Sequence, residues 1–320
     1  RGAQVFYDAL LVDVSTPETI GYISGKGWAI GMLGGVATLL IAVVPMQIIG
    51  NNFIPYTFLI TAAVYALSSL PMYLRVHETT PVIPIPNGET LLSVSFKHLA
   101  ETFKDIRHYK VFLRYMFAFL IYNDGIMMLM DFAAIIGGTL FGLEQVELII
   151  FVIIIHITGA VGALTFGKLS DEKSSKRSIL ISLIILISSL VALFFVKNDL
   201  GFFIVGAFAG FSLSGAQAVS RTMVSQLAPA GKTTEFYGFL SVAGRTSTFI
   251  GPLVFGTLSY RMNIYYINQG MAELAAEKAG QYWGIGSIIA FLVIGMVILL
   301  SVREVTAEKP MTYIKDQELQ

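Results

Sequence analysis

An acidic residue stands in the middle of one of the most apolar stretches of the chain. Asp124 follows Tyr122 and Asn123 within the run from Val111 to Gly137, which is long enough to cross a membrane. A carboxylate at that depth is costly, so it is usually paired or kept in a water-filled cavity. We therefore interpret this run as a helix with a polar break that faces the inside of a helical bundle. Asp131, further along, either shares the cavity or lies in water near its outer mouth.

A basic residue in a later apolar run is the natural counterpart of Asp124. Arg245 and Asp124 both lie in runs that go outward from the cytoplasm, at depths that differ by about one helical turn. We predict that the two face one cavity and interact directly or through water. Three roles stay open: a zwitterionic ligand replaces each partner, Asp124 takes a proton and releases Arg245, or the pair only holds the bundle together.

Three weaker polar candidates lie in other apolar runs. Gln217 and Ser214 are predicted to form hydrogen bonds between helices, which is the usual role of such side chains in membranes. Gln217 is also kept as a candidate ligand group. Histidine is the side chain best suited to exchange protons at physiological pH, so His156 is either a proton-transfer group or a packing residue.

The composition excludes several classes of protein. The chain is 55% hydrophobic and 13% charged, with a mean hydropathy of +0.73, whereas soluble domains carry about 25% charged residues. Its zero net charge gives no reason to expect a nucleic-acid partner. There is no cysteine, and the four histidines lack the spacing of metal ligands. We expect a multi-pass membrane protein that has no cofactor and is not an enzyme.

The apolar runs predict an all-α bundle of about eight complete transmembrane helices and a partial one. Residues 1–74 form the rest of an N-terminal half, and residues 75–110 a cytoplasmic connector with an amphipathic helix over 91–107. Residues 111–302 form a complete six-helix half, followed by a cytoplasmic tail over 303–320. The partial span is Val5–Val14, and the complete spans are Gly25–Val44, Phe53–Leu74, Val111–Gly137, Val146–Gly167, Ile179–Val196, Gly201–Met223, Glu235–Tyr260 and Tyr282–Val302.

Lysine and arginine fix the orientation of these spans. With alternating spans, only Lys197, Arg261 and Lys278 fall in loops on one side, whereas most of the other basic residues fall on the opposite side. Cytoplasmic loops carry the excess of positive charge. The connector and the tail are therefore predicted to be cytoplasmic.

Small residues recur every four positions on two of the predicted spans. Gly27, Gly31 and Gly35 share one helix face, and Gly159, Ala163 and Gly167 share another. Small residues let helix backbones approach closely within a membrane. We predict that these two faces touch in the cytoplasmic half of the membrane; the alternative is that each packs within its own half.

Five stretches carry distinctive residue patterns: Val5–Asp13, Gly25–Gly35, Phe119–Gly125, Gly215–Arg221 and Glu235–Phe239. Together they resemble the vacuole effluxer (autophagy-related) branch of the major facilitator superfamily and its bacterial relatives. A faint internal repeat, from Leu10 and again from Met223, is typical of such transporters. The loop from Gly167 to Arg177 resembles the superfamily's loop motif, although Glu172 stands where a basic residue is usual.

The resemblance implies a secondary transporter that works in a lipid bilayer as a monomer. Its substrate would be a small solute such as an amino acid, exported by alternating access, with a proton or another ion as coupling ion. It implies twelve spans, so the first three and most of the fourth would be absent, and these residues alone would not transport. We expect a bacterial inner membrane, or a vacuolar membrane if the source is eukaryotic. A channel or a receptor-like scaffold is the alternative function.

The resemblance also implies a gate on the cytoplasmic side. In the superfamily, the loop aspartate braces the outward-open state through a basic residue and the N-terminus of a helix. Here that aspartate is Asp171, and the basic residue is Arg221. We predict that the two are in contact and that the helix begins near Gly25 or Glu235.

Overall fold

The computed structural model describes residues 2–76, 90, 94, 109–229 and 232–303, which form nine α-helices. The predicted amphipathic helix over 91–107 and the tail after residue 303 lie outside the described residues, apart from residue 94. The helices are α1 (Gly2–Ala9), α2 (Ile20–Ile49), α3 (Ile54–Arg75), α4 (Lys110–Ile136), α5 (Gln145–Glu172), α6 (Ser175–Leu193), α7 (Asp199–Leu227), α8 (Thr233–Asn268) and α9 (Glu273–Leu300).

Seven of these helices are long and apolar enough to cross a membrane: α2 to α7 and α9. The prediction of an all-α, multi-pass membrane protein is therefore confirmed. The predicted span Glu235–Tyr260 lies inside α8, which is 36 residues long but is not among the seven. Serine, threonine, glycine and tyrosine are interspersed along α8, so this helix is long enough to cross a membrane but less apolar than the seven.

Local signals in the sequence explain where the helices of the second half begin. The side chain of Glu147 accepts a hydrogen bond from the backbone N–H of Glu144 at 2.8 Å, which closes a capping box at the start of α5. Ser174 stands before α6 and Asn198 before α7. The side-chain oxygen of each accepts a hydrogen bond from a backbone N–H in the first turn of its helix. These caps satisfy N–H groups that have no partner inside the helix.

The polar break predicted at Tyr122–Gly125 is not present, because α4 is continuous through it. Gly125 serves a different purpose from a helix break. A Cβ on Gly125 would lie 2.9 Å from Leu292 Cγ and 3.2 Å from the backbone oxygen of Ile288, both on α9. The glycine therefore allows α4 and α9 to pack closely, and the polar residues around it occupy positions on a regular helix.

The last six helices pack into one bundle, and the N-terminal helices lie against it. Helix α5 packs mainly on α7, α4 packs on α9 and α8, and α6 packs on α7. Helix α2 lies against α5 and α7, whereas α1 lies against α8. Helix α3 has its main contact with α2, and none of its residues is buried. Helices α1 and α2 therefore connect the N-terminal part of the chain to the six-helix half.

The predicted contact between small-residue faces joins α2 to α5, but it uses a different face of α2. A Cβ on Gly21 would lie 2.5 Å from the backbone oxygen of Gly167, and one on Gly25 would collide with that of Ala163. A Cβ on Gly31, by contrast, would meet nothing within 4 Å. On α5, Ala163 and Gly167 lie in the predicted contact. Gly159 faces α7 instead, close to Gly210 and Ser214.

We predict that Gly25→Val weakens the packing of α2 on α5, because its side chain would overlap the Ala163 carbonyl. Overpacking of this kind costs about 1–3 kcal/mol. The melting temperature of the purified protein in detergent should fall by several degrees. Gly31→Val is the matched control on the same helix and should leave the melting temperature unchanged. Equal effects of the two substitutions would contradict the assigned face.

Candidate functional site

The first part of the site is the start of α2, where a carboxylate from α5 binds two backbone N–H groups. Asp171 accepts hydrogen bonds from the N–H of Gly21 and from that of Tyr22, each at 2.7 Å. These N–H groups belong to the first turn of α2 and have no partner within the helix. The positive end of the helix dipole also favours an anion there. The prediction that Asp171 lies at a helix N-terminus is confirmed, and α2 begins slightly before the predicted Gly25.

The second part of the site is an ion pair between α1 and α7. Nη1 of Arg221 lies 2.7 Å from Oδ1 of Asp8, and the two side chains are only 10% and 6% exposed. The predicted contact between Asp171 and Arg221 is therefore wrong. Each group has another partner: Asp171 binds the start of α2, and Arg221 turns toward α1, where Asp8 offers a buried carboxylate.

Helix α2 completes the surroundings of Arg221. Nη2 of the guanidinium donates to the carbonyl oxygen of Ser24 at 3.3 Å and to its hydroxyl at 3.2 Å. The hydroxyl of Ser24 in turn donates to the backbone oxygen of Ala218 on α7 at 2.7 Å. The guanidinium carbon also lies 5.4 Å from the centre of the Trp28 ring, within the range of a cation–π contact. One arginine thus holds α1, α2 and α7 together.

Near the middle of α4, amide side chains connect this helix to α7. Nε2 of Gln217 donates to Oδ1 of Asn123 at 2.9 Å, so Gln217 forms the predicted bond between helices. Asn123 is 2% exposed and the adjacent Asp124 is 1% exposed. The structure therefore brings three of the predicted site residues into one buried polar region.

Helix α8 passes this region at two glycines. A Cβ on Gly244 would lie 3.9 Å from Nδ2 of Asn123, and one on Gly251 would lie 3.1 Å from the backbone oxygen of Asp124. The side chain of Arg245, the residue after Gly244, lies outside the part of the chain that the structure describes. The pairing of Asp124 with Arg245 therefore stays a prediction.

Tyr122 belongs to a separate set of hydrogen bonds between α4 and α7. Its hydroxyl lies 2.7 Å from that of Ser220 and 3.4 Å from that of Tyr115. Tyr115 donates to the backbone oxygen of Ser220 at 2.8 Å, and Tyr237 of α8 donates to that of Arg221 at 2.9 Å. All three tyrosines are fully buried. Their hydroxyl groups therefore connect α4 and α8 to the part of α7 that carries Arg221.

The remaining candidates lie apart from these groups. Nδ1 of His156 donates to the backbone oxygen of Val152 at 2.8 Å, and the ring lines an apolar cavity. Asp131 is exposed, and its place near a water-filled mouth stays a prediction. The buried hydroxyl of Ser214 has no hydrogen-bond partner within the described residues, so its predicted bond between helices is not present there. Those residues also contain no cluster of His, Asp or Glu suited to a metal ion.

The sequence interpretation did not assign a role to Asp8. Asp8 lies inside the partial span predicted over Val5–Val14. An ionisable residue inside such a stretch is a sign of a partner at the same depth. That partner is Arg221, which lies near the end of its span that is predicted to be cytoplasmic.

The fold is shared with a solved transporter. A bacterial homologue of the human lysosomal transporter Spinster, in an inward-facing and unoccupied conformation, matches with a TM-score of 0.57 and 15% identity. The match covers 95% of this chain and 74% of that one. The chain thus shares the fold of this solved transporter.

The family is shown by a second comparison. Residues 15–266 match the model of the family described as "Vacuole effluxer Atg22 like". The chain belongs to this family, as its resemblance in sequence indicated. It is accordingly a multi-pass protein of a bacterial or a vacuolar membrane.

Relatives occur in bacteria and in fungi. The uncharacterized MFS-type transporter YxiO of Bacillus subtilis is 28% identical over 314 residues, which covers 96% of this chain and 69% of YxiO. Autophagy-related protein 22-1 of Aspergillus fumigatus is 24% identical, over 75% of this chain and 43% of its own length. Autophagy-related protein 22 of Kluyveromyces lactis is 25% identical, over 81% and 56%. The chain thus spans about half the length of these two fungal relatives.

We predict that Arg221→Met destabilises the protein strongly, because it leaves the Asp8 carboxylate buried without its positive partner. Breaking a buried pair from one side costs about 3–5 kcal/mol, whereas replacing both partners by apolar residues is often neutral. The double variant Asp8→Leu/Arg221→Met should therefore recover most of the loss in melting temperature.

The exposed pair Lys168–Glu172, at 3.6 Å with side chains 70% and 58% exposed, provides the control. Lys168→Met should change the melting temperature little, because exposed pairs contribute about 0–1 kcal/mol. Additive losses from the two single substitutions at Asp8 and Arg221 would contradict the pairing.

Proposed function

We propose that this chain forms part of a secondary active transporter that exports a small solute, such as an amino acid, by alternating access. The observation that carries the proposal is a buried polar region in the middle of the six-helix half, with Asp124 beside the Asn123–Gln217 bond. Its cytoplasmic side is closed by contacts between the N-terminal helices and that half. Family membership supports transport in general, and this arrangement supports a carrier with a gate.

The contacts that close the cytoplasmic side can open without unfolding any helix. The Asp8–Arg221 pair joins α1 to α7, and Asp171 joins α5 to the start of α2. Both are polar contacts between the ends of separate helices, and water can replace each of them when the helices part. This is the behaviour required of a gate whose two states are close in free energy.

We propose that Asp124 is the residue that binds the solute or a coupling proton. Ionisable groups buried at membrane depth mark substrate and ion pathways. Asp124 can receive the amine of a zwitterionic solute or a coupling proton, while Asn123 and Gln217 supply neutral hydrogen-bonding groups beside it. Arg245, on the neighbouring helix α8, is the proposed partner for a carboxylate.

The proposal is tested with the full-length protein in proteoliposomes that are preloaded with one amino acid or another small solute. A carrier gives counterflow, in which the preloaded solute drives uptake of labelled solute from outside, and its flux saturates. A screen of solutes identifies the substrate, and imposed proton or sodium gradients identify the coupling ion. Flux that never saturates and shows no counterflow would indicate a channel and refute the carrier.

We predict that Asp124→Asn reduces counterflow at least tenfold, because the substitution removes the charge that the solute or proton must meet. Asp131→Asn is the matched control, since Asp131 lies on the same helix but is exposed. Its counterflow should equal that of the unmodified protein. Unaltered substrate affinity and pH dependence in a folded Asp124→Asn variant would refute the role of Asp124.

We also predict that Asp171→Asn shifts the protein toward the state that is open to the cytoplasm. Asparagine retains one oxygen acceptor but loses the charge, and charge-assisted hydrogen bonds are about twice as strong as neutral ones. The chain has no cysteine, so spin labels at Lys26→Cys and Lys173→Cys report the distance between α2 and the end of α5. Asp171→Asn should increase the population at long distance.

Glu172→Gln is the control for this measurement. It removes a neighbouring charge that is exposed and does not bind the start of α2. The distance distribution of Glu172→Gln should match that of the parent protein. An unchanged distribution in Asp171→Asn would contradict the gating role.

A further inference from the structure

The six-helix half contains a cavity separate from the buried polar region around Asp124. Its volume is about 170 Å³, and its walls come from α4, α5, α6 and α7, with one residue of α2, Met32. Leu129, Phe151 and Ala209 are among the lining residues, whereas Asn123, Asp124 and Gln217 are not. Apolar cavities of about 150 Å³ stay dry and bind benzene. This cavity therefore has room for one ring of that size.

His156 is the single polar side chain among the described residues that line this cavity. A carbonyl oxygen can only accept, so the bond to Val152 requires the proton to be on Nδ1. In the neutral ring, Nε2 then carries a lone pair and can only accept a hydrogen bond. The atom lies 3.8 Å from the position that a Cβ on Gly35 of α2 would occupy.

We propose that this cavity is a binding site for a small neutral molecule that combines an apolar ring with one hydroxyl group, as in a phenol. The ring fills the space between Leu129, Phe151 and Ala209, and the hydroxyl donates to Nε2 of His156. A charged or strongly polar ligand would leave its other polar groups without partners against apolar walls, which is unfavourable. Bound in this way, the ligand touches α2 and the six-helix half together.

The test measures binding and does not depend on transport. The full-length protein in lipid nanodiscs is titrated with 4-fluorophenol and, separately, with fluorobenzene, and binding is followed by fluorine NMR against empty nanodiscs. Both probes should bind saturably. 4-Fluorophenol should bind about tenfold more tightly, which is the effect of one additional buried hydrogen bond.

Three variants separate the ring site from the hydrogen bond. His156→Leu should weaken 4-fluorophenol about tenfold and leave fluorobenzene unchanged. Ala209→Phe places a ring inside the cavity and should abolish binding of both probes, and Ala133→Phe should do the same from the wall formed by α4. Ala192→Phe, at an exposed position on α6, is the matched control and should change neither.

Three results would overturn the proposal. Saturable binding that survives both Ala209→Phe and Ala133→Phe would place the probes elsewhere, and equal affinities of the two probes for the unmodified protein would remove the role of His156. Absence of saturable binding to the unmodified protein would reject the site itself. Because no solute flux is measured, each of these results is independent of the transport proposal.

Discussion

A charge in an apolar medium needs a partner, and this requirement decides how the N-terminal helices meet the six-helix half. Arg221 is almost fully buried, and its charge is balanced by Asp8 from α1. The Asp171 carboxylate, which belongs to α5, is balanced by the first N–H groups of α2. Both contacts lie at the same end of the helical bundle. The charge contacts and the close packing of small residues between α2 and α5 together position α1 and α2.

The sequence was sufficient for the helices and their location in a membrane, because a long apolar segment in lipid must satisfy its backbone hydrogen bonds internally. The sequence was not sufficient to predict the ion-pair partner of Arg221. Several acidic residues, Asp8 and Asp171 among them, lie toward the side predicted to be cytoplasmic, and the tilt and rotation of α1 decide which of them meets Arg221. These quantities depend on contacts with neighbouring helices, which hydropathy does not encode.

Rotation about the helix axis explains the other differences. Helix α2 carries two four-residue series of small residues, one through Gly21 and Gly25 and one through Gly27 and Gly31. Spacing alone does not show which series meets α5. In the same way, Gly125 suggested a break when α4 was considered by itself, whereas the approach of α9 explains it. The buried region of Asn123, Asp124 and Gln217 was more predictable, because polar side chains in apolar helices must face inward.

The contact between α2 and α5 has a thermodynamic consequence. It is formed largely by glycine and alanine against backbone atoms, so few side-chain rotamers are fixed when it forms and little apolar area is exposed when it parts. Heat-capacity changes scale with apolar area. Opening at this contact should therefore have a heat-capacity change close to zero and an almost temperature-independent enthalpy. With a constant enthalpy, the logarithm of the equilibrium constant between the two states would vary linearly with reciprocal temperature.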